Sequence, residues 1–152
     1  MIEFNSTDEI LDFAIRREEE AAQFYLDIAE KIDKPALRQT FKDFAKEEYK
    51  HKAMIQDMKK GKIAEFKEEN ILNLKIADII EDVPSLDVDF DYQKVLILAM
   101  QREKNAYIVY TFLANATENP DIKNIFKVLA QEEAKHKLFF EVEYDNVYYM
   151  EN

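Results

Sequence analysis

The 152-residue chain has no cysteine and no tryptophan, a single glycine (Gly61) and three prolines. Without thiols there is no disulfide framework, no Cys-ligated zinc, no iron–sulfur cluster and no thiol nucleophile. Any metal would have to sit on oxygen and imidazole. So little glycine and proline leaves almost no punctuation for hairpins or tight turns, which points to an all-α chain. No window approaches the roughly 18 uninterrupted apolar residues of a membrane span, and the opening MIEFNSTDEI shows no basic stretch leading into an apolar one. A soluble, cytoplasmic protein with no membrane partner is expected. Basic charge is also scarce, with 21 Lys and Arg against 32 Asp and Glu for a net charge of −11. No stretch gathers Lys and Arg free of nearby acids, so nucleic acid is a poor partner.

What is present is a 47% hydrophobic, 35% charged chain of one domain's length, 1–152. Its two histidines occupy the same frame, in EEYKHK (47–52) and EEAKHK (132–137). Sliding the sequence along itself by 85 positions lays 11–54 on 96–139 without a gap, with sixteen of 44 positions identical. The chain is two copies of one unit.

Within each unit the apolar residues step by three and four. Leu11, Ala14, Ala21, Tyr25, Ile28 and Ile32 form one stripe, and Leu37, Phe41, Phe44, Ile55 and Met58 a second. Leu96, Ala99, Ala106, Tyr110 and Leu113, then Ile122, Phe126, Leu129 and Phe140, repeat them. Each unit therefore reads as a helical hairpin. Ser6 with Glu9 forms a capping box, Pro35 and Pro120 suit first-turn positions preceded by Asp33 or Lys34 and by Asn119, and Gly61 suits a helix end. Helices are predicted near 7–32, 35–60, 91–117 and 120–145. Residues 62–90 are long enough to run the height of such a bundle, with a short helical turn expected near 75–82. That length implies two mutually inverted hairpins joined by one crossover between helices 2 and 3, a four-helix bundle.

The stripes carry a defect. The walk 37, 41, 44, 48, 51, 55, 58 puts Glu48 and His51 on the buried face, and its copy does the same with Glu133 and His136. Glu18 and Glu103 fall on the buried faces of helices 1 and 3. Counted from the turns, all four glutamates lie at one height, about 22 Å from the loop. Four carboxylates and two imidazoles should thus share one chamber. Buried carboxylates repel one another and cost several kcal/mol each when unpaired, and no Lys or Arg lies on these stripes. Two divalent cations would balance four Glu⁻, and donors without sulfur favour iron or manganese, with zinc as a substitute. Glu19, Glu20, Glu47 and Glu132 fall off the stripes and read as surface or flanking acids. Tyr25 and Tyr110 are either ordinary core aromatics or hydroxyl donors to a ligating carboxylate one or two turns away.

These residues, in REEEAAQFY with FAKEEYKHK and REKNAYIVY with LAQEEAKHK, resemble the ferritin-like diiron-carboxylate superfamily, most closely a single-domain rubrerythrin-type protein. The final EVEYDNVYYMEN is similar to the tail of single-domain members. The resemblance implies two irons held by Glu18, Glu48, His51, Glu103, Glu133 and His136, with Glu48 and Glu133 bridging. It implies peroxide reduction as the activity, hydrogen peroxide or dioxygen as the oxidant, and a homodimer as the assembly. Rubrerythrins proper append a cysteine-bound rubredoxin iron, so here a separate donor protein such as a rubredoxin would supply electrons. The family also tends to carry a further glutamate where this chain has Ala106, which argues against an iron that changes ligands during turnover. Iron oxidation for storage, and a non-catalytic interaction bundle, are the two rival readings.

Overall fold

The computed structural model describes residues 6–61 and 91–149. Among the described residues four helices form: α1 (Thr7–Lys31), α2 (Pro35–Gly61), α3 (Tyr92–Ala116) and α4 (Pro120–Tyr144), followed by a π-helical turn, Asp145–Tyr149. The observed ends match the expected ones to within one residue. The proposed crossover and its helical turn at 75–82 lie outside the described residues.

The caps explain the sharp ends. The Ser6 side chain accepts from Glu9 N at 3.2 Å, Asp91 accepts from Gln93 N and Lys94 N, and Asn119 accepts from Asp121 N and Ile122 N just ahead of Pro120. Each satisfies amides that the first turn leaves without helical partners. At the other end of α1 the Arg38 guanidinium donates to the Ile32 carbonyl through Nε at 3.0 Å and Nη2 at 2.6 Å, locking the α1–α2 turn.

Packing shows the relative direction of the hairpins. One apolar cluster joins the start of α1 (Ile10, Leu11, Ala14) and the end of α2 (Ile55, Met58) to the end of α3 (Tyr110, Leu113) and the start of α4 (Ile122, Phe126, Leu129). A second joins the end of α1 (Tyr25, Ile28, Ile32) and the start of α2 (Phe41, Ala45) to the start of α3 (Leu96, Ala99) and to Phe140 near the end of α4. The start of α1 lies level with the end of α3, so the hairpins are inverted. Of the predicted stripe residues, Leu37, Phe44 and Ala106 are only half-buried and the rest are buried. Between the two apolar clusters lies a polar layer, and that layer is where the defect in the stripes falls. No described helix is long and apolar enough to cross a membrane.

Candidate metal centre

Each helix contributes to the polar layer at its midpoint: Glu18 from α1, Glu48 and His51 from α2, Glu103 from α3, Glu133 and His136 from α4. All six are at most 3% exposed. The structure brings together every residue that the stripes pointed inward.

Their geometry is two-fold. His51 Nδ1 lies 2.8 Å from Glu133 Oε1, 3.6 Å from Glu18 Oε2 and 3.8 Å from Glu48 Oε1. His136 Nδ1 lies 3.1 Å from Glu48 Oε1, 3.6 Å from Glu103 Oε1 and 3.8 Å from Glu133 Oε2. Two overlapping groups result, Glu18–Glu48–His51–Glu133 and Glu48–Glu103–Glu133–His136, each with donor atoms within 4.8 Å of one another. Glu48 and Glu133 belong to both.

Among the described residues, Glu18 Oε2, Glu48 Oε1, Glu103 Oε2, Glu133 Oε2 and His136 Nδ1 are buried with no hydrogen-bond partner. Orphaned buried acceptors are rare because each costs the desolvation of its group. Here five converge on one point, so the donor set fits a pair of divalent cations held by oxygen and imidazole. Without cations, protons do the balancing. Burial, then the charges of Glu103 and Glu18, pushes the Glu48 carboxyl well above its usual range, and burial with Glu103, Glu48 and Glu18 does the same to Glu133. Burial alone would raise Glu103 too, but the neighbouring Glu133 carboxyl, the His136 imidazole and the Tyr25 hydroxyl outweigh it and hold Glu103 low. Burial alone would lower both imidazoles. Glu103 and Glu48 instead lift His136 to about 11, and Glu18 and Glu132 raise His51. Cations entering the chamber would displace these protons.

Two further pairs hold the donors in place. The Tyr25 hydroxyl donates to Glu103, and the Tyr110 hydroxyl to Glu18. Both tyrosines thus reach across to the opposite hairpin, where the spacing had suggested a carboxylate on a nearby turn. Burial first, then the facing carboxylate, pushes both phenols well above their ordinary range, so they stay protonated donors. The second pair was not legible as functional. Glu47 and Glu132, read as surface acids, are indeed 48% and 42% exposed, yet Glu132 bonds His51 Nε2 and Glu47 bonds His136 Nε2. Their one sequence signal was their identity in both copies of the repeat.

Among the described residues, a cavity and a cleft reach the site. Between α1 and α3 a cavity of about 30 Å³ opens onto the four carboxylates, walled by Phe13, Ala21, Ala106 and Val109 and fringed by Arg17 and Arg102. Each guanidinium lies over a ring, Arg17 over Phe13 at 5.2 Å and Arg102 over Phe24 at 4.8 Å. Between α2 and α4 a wider cleft of about 370 Å³ meets the backs of the imidazoles instead.

Comparison with known proteins agrees with this arrangement. The family model for rubrerythrin matches residues 9–144. The chain belongs to the rubrerythrin family. A crystal structure of a ferritin-like diiron-carboxylate protein from Thermotoga maritima superposes with a TM-score of 0.73 at 22% identity, covering 95% of this chain and 97% of that one. A hypothetical protein from Pyrococcus furiosus gives a TM-score of 0.71 at 26% identity, covering 92% and 89%. None of the curated proteins matches. Together with the helix order and the inverted hairpins, these likenesses identify the fold as a ferritin-like four-helix bundle.

Proposed function

We propose that this rubrerythrin-family chain is a non-haem diiron protein that reduces hydrogen peroxide, with dioxygen as the alternative oxidant. The observation that carries the reading is the pair of overlapping donor groups sharing Glu48 and Glu133. Glu18 and His51 would hold one iron, Glu103 and His136 the other, and Glu48 and Glu133 would bridge them; manganese or zinc could substitute. Two ferrous ions would supply one electron each to the oxidant.

The chain's own residues define the rest of the chemistry. Four carboxylates balance four positive charges without any Lys or Arg among the buried residues described. Tyr25 and Tyr110 fix the orientation of Glu103 and Glu18 by donating to one oxygen and leaving the other for the centre. The apolar walls of the α1/α3 cavity exclude bulk water, which strengthens every electrostatic interaction inside. At about 30 Å³ the cavity suits an oxidant of two heavy atoms. Ala106 helps form that space, where a longer side chain would fill it. On the same reading, residues 1–152 act as one domain, in a cytoplasmic homodimer whose electrons come from a separate protein such as a rubredoxin.

The test is anaerobic loading with ferrous iron, followed by stopped-flow mixing with peroxide and, separately, with oxygen. Ferric absorption in the near ultraviolet should rise faster with peroxide. Equal or faster reaction with oxygen would replace the reading by iron oxidation for storage. Bound iron that meets peroxide with no change in absorption would leave a bundle without turnover.

A further inference from the structure

Glu47 and Glu132 lie outside the six-residue cluster and outside both donor groups. We propose that they are positioning residues, each orienting the imidazole of the opposite hairpin so that its Nδ1 faces the metal centre. This rests on the reading of the six buried residues as ligands, and adds two residues to it.

The argument begins with the imidazole. A neutral ring carries one proton, on either nitrogen, and only the bare nitrogen can bind a cation. In both histidines Nδ1 faces the carboxylates, at 2.8 Å from Glu133 Oε1 in His51 and 3.1 Å from Glu48 Oε1 in His136. Ion binding there requires the proton on Nε2. Nε2 of His51 is the atom that Glu132 meets, and Nε2 of His136 the atom that Glu47 meets. A carboxylate acceptor at Nε2 favours that tautomer, stops the ring from turning over, and makes Nδ1 a better donor.

The linkage is crosswise. Glu47 precedes Glu48 on α2 but serves His136 on α4, and Glu132 precedes Glu133 on α4 but serves His51 on α2. Each hairpin therefore completes the other's site across the α2/α4 cleft, where all four side chains lie. The repeat supports a role beyond solubility. At the 85-residue offset Glu47 has Glu132 as its counterpart, whereas Glu19 has Lys104 and Glu20 has Asn105. Both carboxylates are about half exposed, so replacing either opens no buried hole. Loss of function in the variants would not be loss of the fold.

Cobalt(II) and zinc(II) are suitable probes, titrated into metal-free wild type, Glu47→Ala, Glu47→Gln, Glu132→Ala and the control Glu20→Gln, with circular dichroism to confirm folding. With only two histidines in the chain, the cobalt-shifted ring N–H resonances of His51 and His136 can be assigned separately. Wild type should take two ions and show both resonances. Glu47→Ala should weaken one ion about 10- to 100-fold and lose the His136 resonance, while Glu132→Ala does the same for His51. Glu47→Gln, whose amide oxygen still accepts from Nε2, should lose less than Glu47→Ala. Glu20→Gln should match wild type. Wild-type affinity and both resonances in Glu47→Ala would overturn the proposal alone, as would equal weakening of both ions by either variant. A wild type that binds no ion would overturn the six-residue reading and this proposal with it.

Discussion

Around His136 the wall of the site is aromatic, built on Phe44, Phe139 and Phe140, whereas the other copy of the repeat carries Leu129, Met54 and Ile55 at the equivalent positions. Phe44 stacks on the His136 imidazole at 4.1 Å, Tyr25 meets the same ring edge-on at 6.4 Å, and Phe139 and Phe140 pack edge-on against Phe44 at 5.2 and 5.6 Å. The position equivalent to Phe44 in the second copy is Leu129, fully buried in the other apolar cluster. The donors themselves do not differ: Glu18 and Glu103, Tyr25 and Tyr110, Glu47 and Glu132, Glu48 and Glu133, His51 and His136 are identical pairs. The walls have diverged while the donors have not. The physical reason is tolerance. A core needs only apolar volume that fills its space, which many side-chain sets supply. A cluster of buried charges needs particular atoms at particular places, because any missing partner leaves a desolvated group behind.

The largest break in this symmetry should come from the shared donors. Glu48→Ala or Glu133→Ala removes an oxygen source from both groups at once, and metal analysis after anaerobic loading should find iron below two per chain, approaching none. Glu18→Ala and Glu103→Ala each touch one group and should cost one ion. Full stoichiometry in Glu48→Ala would rule out its shared role.

A smaller effect should follow from exchanging the walls. Phe44→Leu puts beside His136 the residue type that the other copy carries at the equivalent position, with loss of ring contacts to Tyr25, Phe139 and Phe140 as well as to the imidazole, and should destabilise by about 2 kcal/mol. Leu129→Phe forces a larger group into a fully buried position and should cost about 1–3 kcal/mol through overpacking. Urea unfolding measures both. If Phe44→Leu leaves stability unchanged, the aromatic wall is incidental.

The helices and the inward residues were legible because both are local in the chain. Stripes of three and four place Leu11, Phe41, Leu96 and Phe126 on a buried face, and the same walk passes through Glu18, Glu48, Glu103 and Glu133. Ser6, Asn119 and Pro120 mark helix starts within a few residues of themselves. The contacts that were not legible are those between hairpins. Whether Tyr25 reaches a carboxylate on its own hairpin or Glu103 on the other depends on how the two hairpins are rotated against each other. Glu47 and Glu132 suffer the same ambiguity: off the stripe and half exposed, they resemble any solvated acid until the opposite imidazole is placed beside them. No periodicity within one helix encodes that rotation. The repeat encodes part of it, since residues shared by both copies concentrate at the contact between them.

The tyrosines offer the finest test of whether donors and walls are independent. Tyr25→Phe and Tyr110→Phe each delete one hydroxyl and keep the ring, so packing on either side is preserved while Glu103 or Glu18 loses a buried donor. A hydrogen bond of this kind contributes about 1 kcal/mol net. Tyr25 is surrounded by Phe24, Phe41, Phe44 and Phe140, with ring centroids 5.7 to 6.0 Å away, whereas Tyr110 stacks on Phe126 at 6.1 Å within a largely aliphatic cluster. If the hydroxyl acts only through its carboxylate, the two substitutions should cost the same within about 0.5 kcal/mol despite these different walls. A Tyr25→Phe effect several times that of Tyr110→Phe in urea unfolding would mean that the aromatic packing itself sets how Tyr25 holds Glu103, and the two halves would then differ in their donors as well.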